Sequence, residues 1–409
     1  MRRLNTFAAA ASAAIAIIAT ISAPARAQTA AFEGARIITG DGRVIENGTL
    51  VVNGNRIAQA GPAATVQVPA GATRINLSGK TVRPALIDTH IHISQTRNEI
   101  IKDLKQRAYF GVSAVQSMGT NKFDVLPIRG ETIPGAARFF AAGRGITRPE
   151  PGRDDTPYWI NTEAEGRAAV RELAAQRVDI VKVWVDDRDH KYQKLTPQLY
   201  GPIVDEAHKN NLRVTAHIFT LEDAKGLLRA GVDAFAHSVR DRDVDDEFMT
   251  MVRARPNLVV NPNLPPRGVK TDLTWLKSSL SPAEYAKAEA ANKDDPKARE
   301  FYGIQSRNLA KLNAAGLKIV LGTDGNTAWA PHVEMEDMVA AGMTPMQVIV
   351  ASTKNAAEFL RMNDAGTLEA GKSADFIVLD ANPLDNITNT RRINAVYLRG
   401  AKIDRSHLP

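Results

Sequence analysis

The sequence predicts an α/β protein: a (β/α)8 TIM-like barrel over residues 85–363, carrying a small β-sandwich built from segments 28–84 and 364–409. Three observations predict it. Apolar strands alternate with amphipathic helices over roughly 270 residues of the middle of the chain. Short alternating stretches punctuated by Gly and Asn precede that rhythm, and strand-and-turn character returns after it.

Segment 28–84 carries its strands near 35–39, 49–52 and 56–60, separated by Gly40, Gly42, Gly54 and Asn55. In the barrel, Thr162 with Glu165 forms a capping box ahead of a helix, followed by a strand at 179–185. Thr196-Pro197 opens the next helix with proline in its first turn, and 211–217 follows as a strand. Thr220 with Asp223 starts a helix that stops at Gly231, ahead of a strand at 233–237. Residues 271–299, charged and helix-prone, read as a helical excursion on the barrel rim between strands near 257–262 and 317–324. Thr344 with Gln347 is a further capping box, heading a helix to about residue 360. Strands near 374–379 and 395–398 complete the sandwich.

Composition bounds the function. The chain has 409 residues, 44% hydrophobic and 24% charged, the make-up of an ordinary globular protein. It has no cysteine, which excludes disulfides, thiolate zinc sites and thiol catalysis. Residues 1–27 read as an export signal: Arg2 and Arg3 precede an uncharged apolar stretch at 7–21, and Ala25-Arg26-Ala27 is a cleavage pattern. The apolar stretch is shorter than the roughly 20 residues that span a bilayer, so the mature protein is expected in a periplasm or outside the cell, with no membrane partner. The net charge is +7, and Arg2, Arg3 and Arg26 fall in the removed segment, which leaves +4. That balance is too mild and too evenly spread for nucleic acid. A small-molecule substrate is the expected partner, and a homo-oligomer is the base-rate expectation.

Four of the eight histidines stand at the polar ends of predicted strands: His90, His92, His217 and His237. Strand C-termini of a βα-barrel face its active site, so these residues can converge although distant in sequence. His90 and His92, two apart on a strand, project to the same face, as a pair of ligands for one metal requires. Lys182 sits in Asp179-Ile180-Val181-Lys182-Val183-Trp184-Val185, a near-continuous apolar strand of the kind buried on both faces. A buried ammonium costs several kcal/mol or loses its proton. Either Lys182 snorkels or pairs with Asp186 or Asp187, or the neutral amine takes up carbon dioxide as a carbamate and bridges two metals. Asp324, after the apolar Val320-Leu321-Gly322-Thr323, is either a turn residue or the last ligand.

His90-x-His92, Lys182, His217, His237 and Asp324, in that order on successive strands, resemble the amidohydrolase superfamily of metal-dependent hydrolases, and within it the imidazolonepropionase-like and prolidase-like group. Pro84-Ala85-Leu86-Ile87-Asp88-Thr89-His90 is similar to the family's Pro-Gly-Leu-Ile-Asp signature, with Ala85 in the Gly position. Leu321-Gly322-Thr323-Asp324, Ala341-Gly342-Met343-Thr344-Pro345, and residues 366–375 followed by Asn382-Pro383-Leu384 are similar to later motifs. The resemblance implies two divalent ions, most often zinc: His90, His92 and Asp324 on the first, His217 and His237 on the second, and carboxylated Lys182 between them. It further implies a metal-bridging hydroxide that attacks a C–N amide carbonyl, with Asp324 as general base and then general acid.

Dipeptides, N-acyl amino acids and cyclic amides fit such a centre, and so does a lactone or ester. A one-metal deaminase of the same fold needs no lysine, so Lys182 discriminates against it. A catalytically silent binding protein has no need to keep six costly polar groups in one pocket. Where many such relatives carry a Gly-rich turn after the lysine, this chain has Asp186-Asp187-Arg188-Asp189-His190. Arg188 is either a clamp for a substrate carboxylate or part of a solvated charge run. His332 is either a donor to substrate or a loop residue, and His208 and His407 are bystanders.

Overall fold

The structure is a computed structural model that describes residues 29–93 and 96–409, so the export signal read in residues 1–27 lies outside the described residues. The chain opens on β1 (Thr29–Ile38), β2 (Val44–Asn53), β3 (Arg56–Pro62), β4 (Thr73–Asn76) and β5 (Thr81–Pro84). β1 runs antiparallel to β2, while its other edge is shared: residues 30–33 pair with β4 and residues 36–37 with β5. The register shifts on either side of Ala35, and Gly34 lies at φ +79°, so the strand bends in its middle and serves both parts of the small sandwich.

The barrel follows as β6 (Leu86–Ile91), α1 (Arg97–Tyr109), β7 (Val112–Ser117), β8 (Arg138–Ala141), β9 (Ile146–Thr147), β10 (Tyr158–Trp159), α2 (Glu163–Ala175), β11 (Val181–Val185), α3 (Pro197–Lys209), β12 (Val214–Ile218), α4 (Leu221–Ala230), β13 (Ala234–Phe235), α5 (Asp246–Arg253), β14 (Val259–Val260), α6 (Pro282–Ala291), α7 (Pro296–Ala314) and β15 (Lys318–Ile319). Three helices, α8 (Ala330–Ala340), α9 (Pro345–Ala351) and α10 (Lys354–Phe359), lead to β16 (Phe376–Leu379), β17 (Ile393–Leu398) and β18 (Ala401–Lys402). β6, β7 and β8 form one parallel run, and β11 to β15 another. Backbone bonds join the runs at both seams: Asp179 N–H to Ala141 O at 3.1 Å, and Thr89 N–H to Leu321 O at 2.9 Å. The parallel bridge between Ile91 and Gly325 adds to the second seam and closes the eight strands into the expected barrel. β16 lies antiparallel to β5, Phe376 opposite Pro84, so the C-terminal segment completes the N-terminal sheet. Phe32, Phe376 and Tyr397 pack there with ring centroids 4.6 to 5.0 Å apart.

The helix signals behave as the residues predict. Thr162 and Glu165 form the capping box of α2, and Thr220 caps α4, which Gly231 ends at φ +96°. Two expectations are corrected. The helix predicted from Thr344 to about 360 breaks into α9 and α10 at Ser352-Thr353, whose hydroxyls both donate back to Ile349 O. Such side-chain bonds compete with the helical ladder. The excursion predicted to end at 299 holds α6 and runs on into α7, the barrel helix ahead of β15, and its start packs on Tyr109, Phe110 and Trp329.

Candidate metal centre

The centre is built from residues on or just after β6, β11, β12 and β13 and from the loop after β15. His90, fully buried on β6, and His92 just beyond it place their Nε2 atoms 3.2 Å apart. Asp324 Oδ1 lies 3.2 Å from His90 Nε2 and 3.0 Å from His92 Nε2. Donors on a tetrahedron with bonds of about 2.1 Å stand roughly 3.4 Å from one another, so these three already have the spacing of ligands to one cation.

Asp324 is held in place by the strand that carries the histidines. Its backbone sits at φ +51°, a conformation that costs a non-glycine residue about 1 kcal/mol or more. Its N–H and that of Thr323 both donate to His90 O, at 2.8 and 3.1 Å. Beneath them Asp88, fully buried, accepts from Thr323 Oγ1 at 2.8 Å and from the His90 and Thr323 N–H groups at 3.2 Å. Asp88 faces Arg107, equally buried, at 3.5 Å, and Arg107 also reaches Gly325 O at 3.2 Å.

Lys182 projects from β11 into the same space. Its Nζ is 3.3 Å from His90 Nε2, the side chain is fully buried, and it makes no ion pair among the described residues. Neither Asp186 nor Asp187 neutralises it; Asp186 is engaged by His217 at 2.8 Å and by Arg188 at 2.9 Å. His237 completes the floor, its Nε2 buried without a hydrogen-bond partner and 3.8 Å from Asp324 Oδ2. A native protein rarely leaves such an atom orphaned unless a ligand meets it. The His217 ring packs 4.5 Å from that of His237, but its Nε2 is turned to Asp186. Three of the six residues thus form a tight cluster, Lys182 and His237 adjoin it, and His217 adjoins through its ring.

The electrostatics suit cation binding. Burial pushes His90 down to about 3, with the Lys182 charge adding to the effect, and burial likewise pushes His217 down to about 3 and His237 well below the usual histidine range. Neutral imidazoles are the ligating form. Desolvation opposes charge on Asp324, yet the facing His90 and His237 and the bonds from His90 and His92 hold it well below the usual carboxylate range. Burial brings Lys182 down to about 7, so a large share of it is free amine at neutral pH.

A pH dependence follows. Histidines titrate near 6.5 in an unfolded chain, so between about 6.5 and 3 the unfolded state takes up protons that folded His90 and His217 refuse. Their contribution to the stability of metal-free protein is lost as pH falls through that window. Buried Asp88 and Asp337, raised to about 6 and about 7, change in the opposite sense and are common to both proteins compared. A His90→Gln/His217→Gln variant is therefore expected to lose less stability than wild type between pH 7 and pH 5, in urea unfolding of chelator-treated protein. Equal losses would show that these imidazoles are not held neutral.

A cavity of about 350 Å3 opens at the cluster, and its lining includes His92, Trp184, His217 and Asp324 together with Thr147, Glu150, Arg153 and Arg188. Arg188 is therefore at the pocket, as expected, but not as a free clamp: Asp186 and Glu150 hold it, at 2.9 and 3.4 Å. The expectation for His332 is corrected. It is buried in the first turn of α8, bonded to Phe110 O at 2.9 Å and Thr390 Oγ1 at 3.2 Å, and is absent from the pocket lining. Sequence reasoning missed Asn263, whose Nδ2 lies 2.7 Å from His90 Nδ1 and which also bonds Ala236 O. Its place just after β14, at the C-terminal end of a barrel strand, was the available signal. Glu150 lies in irregular chain and offered none.

Fold and ligand cluster together define a metal-dependent hydrolase built on a (β/α)8 barrel. The chain belongs to the amidohydrolase family, whose profile matches residues 81–402. It is 26% identical over 393 residues to the imidazolonepropionase of Deinococcus radiodurans, covering 89% of this chain and 94% of that one. Among solved structures it is similar to a putative prolidase from Bifidobacterium longum, with a TM-score of 0.76, 26% identity, and coverage of 94% and 97% of the two chains. A Xaa-Pro dipeptidase with methionine in its active site shares the fold at a TM-score of 0.73 and 22% identity, with coverage of 92% and 99%.

Proposed function

We propose that this protein is a binuclear hydrolase that opens C–N amide bonds in small molecules such as dipeptides, N-acyl amino acids or cyclic amides. His90, His92 and Asp324 would hold one divalent ion, His217 and His237 the other, and Lys182, carboxylated by carbon dioxide, would join them. Zinc suits this donor set of imidazole, carboxylate and carbamate. The observation that carries the reading is Lys182 itself: a fully buried amine 3.3 Å from a ligand imidazole, brought down to about 7 by burial and lacking a carboxylate partner. Carboxylation makes that amine an anionic oxygen donor. A one-metal deaminase gives it no role.

Bound ions supply Lewis-acid polarisation of the carbonyl and a lowered pKa for water. The chain supplies the rest. Asp324, held ionised and fixed by His90 O, accepts the proton of the attacking water at a carboxylate oxygen and passes it to the leaving nitrogen. Trp184 and Thr147 line the pocket beside it. The export signal in residues 1–27 supports a periplasmic or secreted location.

The test is elemental analysis of mature protein produced with zinc and bicarbonate, followed by a panel of dipeptides, N-acyl amino acids, lactones, cyclic amides and nucleobases. About two ions per chain and turnover confined to amides is the expected result. About one ion with ammonia released from a nucleobase would replace the reading by a deaminase, turnover of lactones alone by a lactonase, and no ion with no turnover by a silent binding protein.

A further inference from the structure

Among the described residues, the bonds of the His217 ring are all made at Nε2, and the partner there is Asp186. β11 and β12 run parallel with Trp184 opposite His217. Lys182 and Trp184 share one face of β11, and Asp186, the next residue in that alternation, stands just past the end of the strand. Its Oδ2 lies 2.8 Å from His217 Nε2, and both residues are buried. Arg188 locks the carboxylate in place: its backbone N–H donates to Oδ1 and its guanidinium to Oδ2, each at 2.9 Å. Glu150 in turn faces Arg188 at 3.4 Å. The run Asp186-Asp187-Arg188, open from sequence between a substrate clamp and a solvated loop, is thus folded onto a ligand imidazole.

A carboxylate paired with a guanidinium only accepts hydrogen bonds, and so does an imidazole nitrogen that carries no hydrogen. Two such acceptors 2.8 Å apart would repel, so the contact places a proton on His217 Nε2. Arg188 Nη1, 3.4 Å from the same nitrogen, is then a second donor gathered on Asp186 Oδ2 rather than a partner of the ring. A neutral ring with its proton on Nε2 carries its free lone pair on Nδ1. For Nε2 to ligate instead, Asp186 would have to give up the ring, and its tie to Arg188 holds it there. We propose that Asp186 is the positioning residue of the second metal site: it fixes the tautomer in which His217 ligates through Nδ1, and it lends that site a negative charge through the ring. The donor sets explain the need for that charge. The first site contains the carboxylate of Asp324, whereas the second draws on two neutral imidazoles and only shares the Lys182 carbamate. A carboxylate behind an imidazole ligand fixes the orientation of the ring and raises its basicity. This rests on the binuclear reading above and deepens it. It also gives Arg188 the task of holding Asp186 rather than that of receiving substrate.

The experiment uses mature protein containing histidine labelled with the heavy nitrogen isotope, as wild type, Asp186→Ala, Asp186→Asn and Arg188→Gln, with His217→Gln to assign the signals. In metal-free wild type at neutral pH, nitrogen NMR is expected to show His217 protonated at Nε2 alone. After loading with NMR-active cadmium and bicarbonate, the metal should couple to His217 Nδ1. Asp186→Ala should lose the tautomer preference, keep the first ion at unchanged affinity, and bind the second about ten- to a hundredfold more weakly in competitive zinc titration. Asp186→Asn retains an acceptor oxygen and should recover the tautomer and part of the affinity, and Arg188→Gln should fall between wild type and Asp186→Ala. A merely structural aspartate would lower the melting temperature and weaken both ions alike. Cadmium coupling to His217 Nε2, a proton on Nδ1 in metal-free wild type, or a second ion held as tightly by Asp186→Ala as by wild type overturns the proposal. If wild type itself binds fewer than two ions, the binuclear reading fails separately, and the metal-free spectra still decide the role of Asp186: loss of the Nε2 preference in Asp186→Ala supports it, and an unchanged spectrum overturns it. If Asp186→Ala does not fold, the wild-type tautomer and cadmium coupling decide in its place.

Discussion

Replacing Lys182 by alanine is expected to remove at least one of two bound ions and to lower kcat/KM on any amide substrate by about a thousand-fold, because metal ions contribute several kcal/mol to such transition states. The reason lies in what surrounds the side chain. Nζ lies 3.3 Å from His90 Nε2 and 5.3 Å from the Trp184 ring, and among the described residues no carboxylate comes within ion-pair distance of it. As an ammonium it would repel a cation held by His90; as a carbamate it attracts one. Alanine leaves three close donors, His90, His92 and Asp324, and an orphaned His237 Nε2 with nothing to share an ion across. Loss of metal must be separated from loss of fold. In metal-free protein Lys182→Met should be at least as stable as wild type at pH 8, since the unfolded lysine holds its proton up to about 10.4 whereas the buried one gives it up near 7. Metal content by elemental analysis and unfolding midpoints in urea provide both readings. A variant that keeps its metal and its rate would show that Lys182 is only a buried amine.

The parts of this centre that were legible in the sequence are those governed by local period. His90 and His92 were found because a strand alternates faces, and Lys182 because an ammonium inside an apolar run has few explanations. His217 and His237 were found because both follow short apolar strands at the rhythm of the barrel. What escaped depends on how loops return over the mouth. Glu150 neutralises two arginines from a segment without periodicity, and Asn263 meets His90 from a strand only two residues long in the structure. Arg188 and the two residues after it adopt left-handed backbone, at φ +55°, +58° and +63°, which turns the loop so that Asp186 covers His217. No pattern of residue types announces that turn.

His332 was misplaced for a different reason. Its segment, Thr327-Ala328-Trp329-Ala330-Pro331, looked like a loop beside the substrate, but Pro331 stands at the start of α8. Proline at that position favours a helix, and the histidine one residue on is drawn inward to bond Phe110 O and Thr390. Its role is to join the barrel to the C-terminal segment. At the break between α9 and α10, fully buried Arg83 donates to Ser352 Oγ at 2.9 Å, a long-range bond that no local pattern announces.

Arg107→Met is expected to be the most destabilising single change near the centre, at about 3–5 kcal/mol, because it removes one member of a buried ion pair and strands the other. Arg107 and Asp88 have fully buried side chains and stand 3.5 Å apart, and Arg107 also bonds Asp103 at 2.6 Å and Gly325 O at 3.2 Å. Burial pushes Asp88 up, to about 6 with the Arg107 charge, the chief opposing influence, in place. Without that charge Asp88 is expected to be protonated at neutral pH and to lose an acceptor. Those acceptors are what position Thr323 and the His90 backbone, and through them the strained turn that presents Asp324. The consequence extends from stability to function: the variant should bind its ions at least tenfold more weakly even where it remains folded, as losses behind a metal ligand commonly do. An Asp88→Asn/Arg107→Met double variant should recover part of the stability, since neither charge is then stranded, but not the metal affinity, since the amide offers one acceptor oxygen where the carboxylate offers two. Urea unfolding and competitive metal titration of the two single variants and the double variant check this. If Arg107→Met costs under about 1 kcal/mol and keeps full affinity, then Asp324 is positioned by the His90 carbonyl alone, and the buried pair is a feature of the barrel wall without a part in the centre.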